Sequence, residues 1–241
     1  MSIVPIPIEF PEWTTDLLKK LAGSAAEELG LTFRDSLRMF RAKRAVRFLE
    51  QFKKTCTNAG IDPRAIKVSL LFDIFEGATL EENDDLQDMW ANLLTNAADS
   101  RERVLVRSAF PQILRQISKE EAVYLSEMFE VSRRTEMFIL KAYVPPPFDA
   151  FDAGPTAPPK LDAVSYDNLR RLGLIDVNTE TIPAATSTAS LDELRAGAKT
   201  YRVLTEETYT LTSLGSALVQ ACQAPKSETE TSDLKTMAAT S

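Results

Sequence analysis

The sequence predicts a mainly α-helical protein in which a multi-helix N-terminal body precedes an α+β C-terminal half with a small β-hairpin. Three observations predict it. Glycine is scarce, at 8 of 241 residues, so long stretches lack helix breakers. Apolar residues recur at i, i+3, i+4 and i+7 through the first half. Late in the chain, strand-length apolar stretches lie on either side of a polar insert.

Residues 1–14, with Pro5, Pro7 and Pro11, read as an extended arm. Asp16 to Leu21 offers a first helix that Gly23 ends, its Trp13, Leu17, Leu18 and Leu21 stripe serving core packing. A long helix from about Thr32 to Thr57 carries Leu37, Phe40, Ala45, Phe48, Leu49 and Phe52 on one face, and Gly60 closes it. Asp62-Pro63 is a start signal, an N-cap acceptor before a proline whose missing N–H costs nothing at the first helical position. It opens a helix with Ile66, Leu70 and Ile74 that ends near Gly77. Thr79 to Glu82 has capping-box spacing, and the helix it opens buries Leu86, Met89, Trp90, Leu93, Leu94 and Ala97. Pro111 opens a short helix through Ile117, which completes a five-helix domain over 15–117.

Ser118 to Glu121 is a second capping box, starting a helix through about Phe129, and Ser132 or Thr135 starts another through Tyr143. Six prolines between 144 and 160 make an extended insertion. Leu161 to Leu172 is helical and stops at Gly173, before a strand from Leu174 to Val177. A further strand pair, Tyr201 to Leu204 and Thr208 to Leu211, turns at Glu206-Glu207, and a last helix runs from Thr212 to Cys222 with the threonine as cap. That order is winged-helix-like, over residues 118–222. The Ser, Thr, Ala and acid composition of 223–241 buries nothing and reads as a disordered tail.

Composition excludes more than it assigns. The chain has no histidine, which removes Ser-His-Asp and Cys-His hydrolysis, His-ligated zinc and His-based phosphotransfer. A net charge of −7 is the wrong sign for generic polyanion binding. Cys56 and Cys222 form no CxxC pair and read as buried reduced thiols. With no basic leader and no apolar run long enough to span a bilayer, the expected location is cytoplasmic. Gly197-Ala198-Lys199-Thr200 fails as a phosphate loop, since Gly must precede Lys and Asp192 stands where the earlier Gly is needed. No cofactor is implied.

One basic block stands out: residues 34–54 hold eight basic side chains against Asp35 and Glu50. Nearby, residues 73–88 hold seven acids and no base. Opposite blocks so close in sequence most simply answer one another; a polyanion site is the alternative. Arg34, Arg38, Arg41, Arg44 and Arg47 are therefore the candidate binding residues for a protein or polyanion. Glu81 with Asp85, and Asp84 with Asp88, are i, i+4 carboxylate pairs that magnesium would accept, though acids in a first helical turn already complement the helix dipole. Arg170 and Arg171 are the weak nucleic-acid candidates of the C-terminal half, where residues 174–211 carry six acids against three bases.

The run Leu80 to Ser100, LEENDDLQDMWANLLTNAADS, resembles the Abi-alpha family of bacterial abortive-infection proteins. Glu28-Leu29-Gly30-Leu31 with the following arginines fits the same resemblance, as do Leu114, Ile117, Ser118, Glu121 and Ala122, then Asn168 to Ile175 and Tyr209 to Gly215. It spans about 15–222, departing in the Pro-rich insertion and in 183–190. The resemblance implies a role in antiviral defence and carries over no catalytic residue. Beside the apolar face of the Trp90 block, Asp88, Asn92 and Asn96 are candidates for a polar site. The expectation is a non-catalytic defence protein acting on an unidentified protein partner. A nucleic-acid-binding regulator or toxin-system partner using 34–54 is the alternative, and self-association is allowed.

Overall fold

A computed structural model describes residues 11–23, 39–134, 142–143, 161–184 and 202–226. Arg34, Arg38, the insertion 144–160 and residues 227–241 lie outside them. The described residues contain eight helices and a three-stranded antiparallel sheet. They form two compact units: one of the residues up to Lys119 together with those from Ala217 on, the other of those from Glu120 to Ser216.

The first unit is helical. Helix α1 (Glu12–Ala22) starts four residues before the expected Asp16, because Pro11 supplies the carbonyl that Thr14 N–H and Thr14 Oγ1 bond. Helix α2 (Met39–Ala59) buries Ala45, Phe48, Leu49, Phe52 and Cys56 at helical spacing, against α3 (Val68–Leu80) and α4 (Asp84–Ala98). Phe48 meets Phe75 edge-on at 6.1 Å. Pro63 does not open α3. It bridges Asp99 in extended backbone, Arg64 N–H bonds Ala98 O and Ile66 N–H bonds Leu21 O, so tertiary hydrogen bonds hold 62–67 straight until Lys67.

The expected capping box at Thr79 is also corrected. Thr79 is buried inside α3 and donates to Glu76 O, while α4 takes Asn83 as its cap, whose side chain accepts from Asp85 N and Leu86 N. Helix α3 runs past Gly77 because that residue faces Trp90: a Cβ there would lie 2.3 Å from the indole Cη2. Trp90 is accordingly 1% exposed, at the centre of the unit. Helix α5 (Phe110–Leu114) comes next, with Pro111 in its first turn.

The second unit has the order α6 (Lys119–Arg134), β1 (Ala142–Tyr143), α7 (Ala163–Arg171), β2 (Ile175–Ala184), β3 (Arg202–Leu211), α8 (Ser213–Cys222), the last helix continuing into the first unit from Ala217. Helix α6 passes through Ser132, and Tyr143 lies in a strand rather than a helix, paired with Thr208. Strand β3 runs straight through Glu206 and Glu207, opposite Glu180 and Thr179. That dipeptide lacks the Gly or Asn that a two-residue hairpin turn requires, so the expected turn does not form there. The strands stand in the order β1-β3-β2.

At the end of α7, Gly173 adopts φ +70°, the left-handed value that terminates a helix. Thr212 caps α8 as expected, accepting from Gly215 N–H and donating to Gly173 O at 2.6 Å. The unit's core stacks Tyr166 on Tyr209 at 4.6 Å, with Tyr124 edge-on to Tyr166 at 5.5 Å. Burial drives the Tyr124 phenol upward in pKa, so it stays neutral at any physiological pH.

Candidate functional site

The two charged blocks meet where α2 packs on α4. Arg44 Nη1 lies 2.6 Å from Asp84 Oδ1 and its Nη2 donates to Glu82 O. One helical turn on, Arg47 approaches Asp84 at 3.5 Å and Asp88 at 3.2 Å. The remaining acids look elsewhere: Glu76 accepts from Arg115, which also donates to Asp73 O, and Asp85 pairs with Lys119. Hydrogen bonding and charge from Lys119 hold the Asp85 carboxyl below the usual carboxylate range.

Under this ion-pair layer sits a residue that pattern reading missed. Gln87 is fully buried; its Nε2 donates to Ala78 O at 2.9 Å and Arg44 O at 3.3 Å, and its Oε1 accepts from Arg47 Nη1 at 2.6 Å. Ala78 O is one of the last carbonyls of α3, which no intrahelical N–H reaches. One amide therefore ties together three helices. The signal was present in the sequence: Gln87, Ala91, Leu94 and Ala98 form a second stripe at i, i+4, i+7 and i+11.

Among the sequence-derived candidates, Arg44, Arg47 and Asp88 are thus brought together and engaged with one another. Arg41 is half-exposed, and no described residue pairs with it. Further along α4, four and eight residues past Asp88, stand Asn92 and Asn96. Asn92 Nδ2 donates to Cys222 O at 3.0 Å, and Asn96 Nδ2 to Ala221 O and Gln223 O at 2.8 and 2.9 Å. They cap the orphan carbonyls at the end of α8, a structural use of the amides. The start of the expected tail is therefore held in place, and Arg103 Nη1 further donates to Lys226 O at 3.2 Å.

No group of three or more His, Cys, Asp or Glu among the described residues is placed to hold a metal ion. Glu81 lies before α4, where its Oε1 accepts from Asn83 N–H, so it does not share a helical face with Asp85. Cys56 and Cys222 are buried free thiols, and burial lifts them to about 11 and about 12. Neither is poised as a nucleophile.

Arg170 and Arg171 stand exposed at the end of α7, Arg171 donating to Asn168 Oδ1 and Asn168 Nδ2 in turn to Glu121. The same helix exposes Val164, at 77% the most open large apolar side chain among the described residues. Its first turn is capped by Asp162, whose carboxyl is kept low by the Ser165 backbone N–H.

No helix of the described residues is long and apolar enough to cross a membrane. No curated protein and no solved structure matches the sequence. The family model for abortive infection alpha matches residues 43–222, a span that holds the α2–α4 contact, the Asn92 and Asn96 caps and the whole of the second unit. The chain belongs to the abortive infection alpha family.

Proposed function

We propose that this protein acts in abortive-infection defence without catalysis, in the cytoplasm, by engaging another protein through the exposed face of α7. Family membership supports the defence role. The second unit is read as a winged-helix-like module, which its element order and its β1-β3-β2 sheet support. In such a module the helix before the hairpin is the reading element. Here that helix presents Val164, Asp167 and Arg170.

The composition of that face carries the choice of a protein partner. A surface built for phosphates gathers cations and excludes carboxylates. Asp162 and Asp167 are exposed on α7 and its cap, and an apolar valine at its start has no role against a phosphate chain. Mixed apolar and charged patches of this kind suit protein recognition. The test is phage plaque formation on cells expressing Val164→Asp with Arg170→Glu. Protection is lost while Tm stays within the range of surface substitutions; full protection by the folded double variant would sink the reading.

The nucleic-acid alternative draws on Arg41, which with Lys43 and Lys54 has no ion pair among the described residues. It requires binding whose affinity falls steeply with salt and is lost in Arg41→Glu. Arg44 and Arg47 are unsuited as probes, since changing them strikes the helix contact itself.

A further inference from the structure

We propose that the outer edge of β2 is a pairing surface for β2 of a second copy of this chain, and that the Asp176 carboxylate guards it. The strands stand in the order β1-β3-β2, so among the described residues no strand covers the far edge of β2. One bond fixes which backbone groups lie there. Thr212 N–H bonds Leu174 O at 3.0 Å, just outside the Ile175–Leu211 pair, so that pair is of the non-bonded kind and the even-numbered residues of β2 turn their N–H and C=O toward β3. The odd-numbered ones, Ile175, Val177, Thr179, Thr181 and Pro183, turn theirs outward.

Two features fall on that outward set. Near the start of the strand, the exposed Asp176 carboxylate accepts from Val177 N–H through Oδ1 at 2.9 Å, which takes that donor out of reach of another strand. Near its end, Pro183 has no N–H to offer. An outward row without such stops is a template for a further strand. The row also selects its occupant. Val177, Thr179 and Thr181 are symmetric about Thr179, and identical edges meet antiparallel about a twofold axis. An axis at Thr179 sets that residue opposite itself and Val177 opposite position 181 of the second copy, each bonded pair exchanging two N–H···O bonds. Capture of Val177 N–H by Asp176 leaves the central pair intact and takes one bond from each outer pair.

Sedimentation velocity of the full chain over a concentration series tests it. Asp176→Ala frees Val177 N–H, returns a bond to each outer pair and raises the association constant about tenfold over the parent. Asp176→Asn keeps an oxygen acceptor in place without the charge, and associates no more than the parent. Thr179→Pro removes a central outward N–H that the sheet itself does not use, so it reverses the gain in Asp176→Ala. An Asp176→Ala chain that associates no more than the parent would overturn the proposal. So would an asparagine variant that associates as strongly as the alanine one, since charge would then be the guard. Association that survives Thr179→Pro would place the contact elsewhere and overturn it too.

Discussion

Gln87 shows how much a single buried amide decides. Its three hydrogen bonds reach a carbonyl at the end of α3, a carbonyl of α2 and the Arg47 guanidinium, the first of them fully buried and the other two partly so. Truncating it leaves the buried Ala78 carbonyl unpaired, at about 1–3 kcal/mol, and strips a part-buried bond from each of Arg44 O and Arg47. Gln87→Ala should therefore unfold at clearly lower denaturant concentration, by about 2–4 kcal/mol. Asp84→Asn is the contrast. Asp84 is largely exposed, so its pairs with Arg44 and Arg47 are worth about 0–1 kcal/mol and fade in salt. Urea titrations at low and high ionic strength would rank the two; equal losses would mean that the charge pairs, not the amide, hold α2 to α4.

Asp99 belongs to the same scale. Burial works to raise its carboxyl, but hydrogen bonds from Arg101 N and Nε and the charges of Arg101 and Arg103 prevail and hold it low. Unfolded, the group titrates near 3.8. Its folded value is lower, so its contribution is present above that pH and is lost as pH falls through the folded value. Asp99→Asn should be less stable than the parent at pH 7 and converge on it in strong acid. A difference that persists undiminished at the acid end would assign the loss to packing instead.

At the scale of elements, α3 and α4 are packed through Gly77 and Trp90. Replacing a mid-helix glycine by alanine ordinarily gains about 0.5–1 kcal/mol. Here the new methyl would overlap the indole, and overpacking of that kind costs about 1–3 kcal/mol. The clash wins. Gly77→Ala should lower Tm, and Gly77→Ala with Trp90→Phe should be less destabilised than the two single changes sum to. Additive behaviour would show that the helices slide apart rather than share the contact. The α8 terminus is a second such joint: Asn96→Asp removes the two donors to Ala221 O and Gln223 O and sets a carboxylate against them, which should release the helix end and raise exchange of its last amides.

Taken whole, the chain places both its thiols in the first unit although they are far apart in sequence, Cys56 in α2 and Cys222 closing α8. Both are buried and lifted well above the usual thiol range, so native protein at pH 7–8 should resist thiol-specific reagents. When labelling occurs, it should proceed at one rate for both, through a common opening of that unit. Rapid modification of Cys222 alone would mean that α8 detaches while the helical core stays closed.

Legibility in the sequence depends on the range of the interactions. Helix positions rest on neighbours three and four residues away, so the stripes of α2 and α4, the Thr212 cap and the Gly173 stop could all be read along the chain. The start of α3 could not, because Asp62-Pro63 has the chemistry of a helix opening and only bonds to Ala98 and Leu21 keep it extended. Nor could the straight run of β3 through two glutamates, which depends on the partner strand. The opposition of the arginine and acid blocks was visible as composition, but which pairs form, and that Gln87 lies beneath them, required the helices to be packed. Asn92 and Asn96 look alike in sequence as open polar groups; the return of α8 beside α4 makes them caps. Sequence by itself determined the helical character, the family and the exclusion of imidazole chemistry, since these depend on residue identity and local period. Tertiary structure alone decided which polar groups are satisfied internally and which face outward, because hydrogen-bond partners across long separations exist only once the chain has folded.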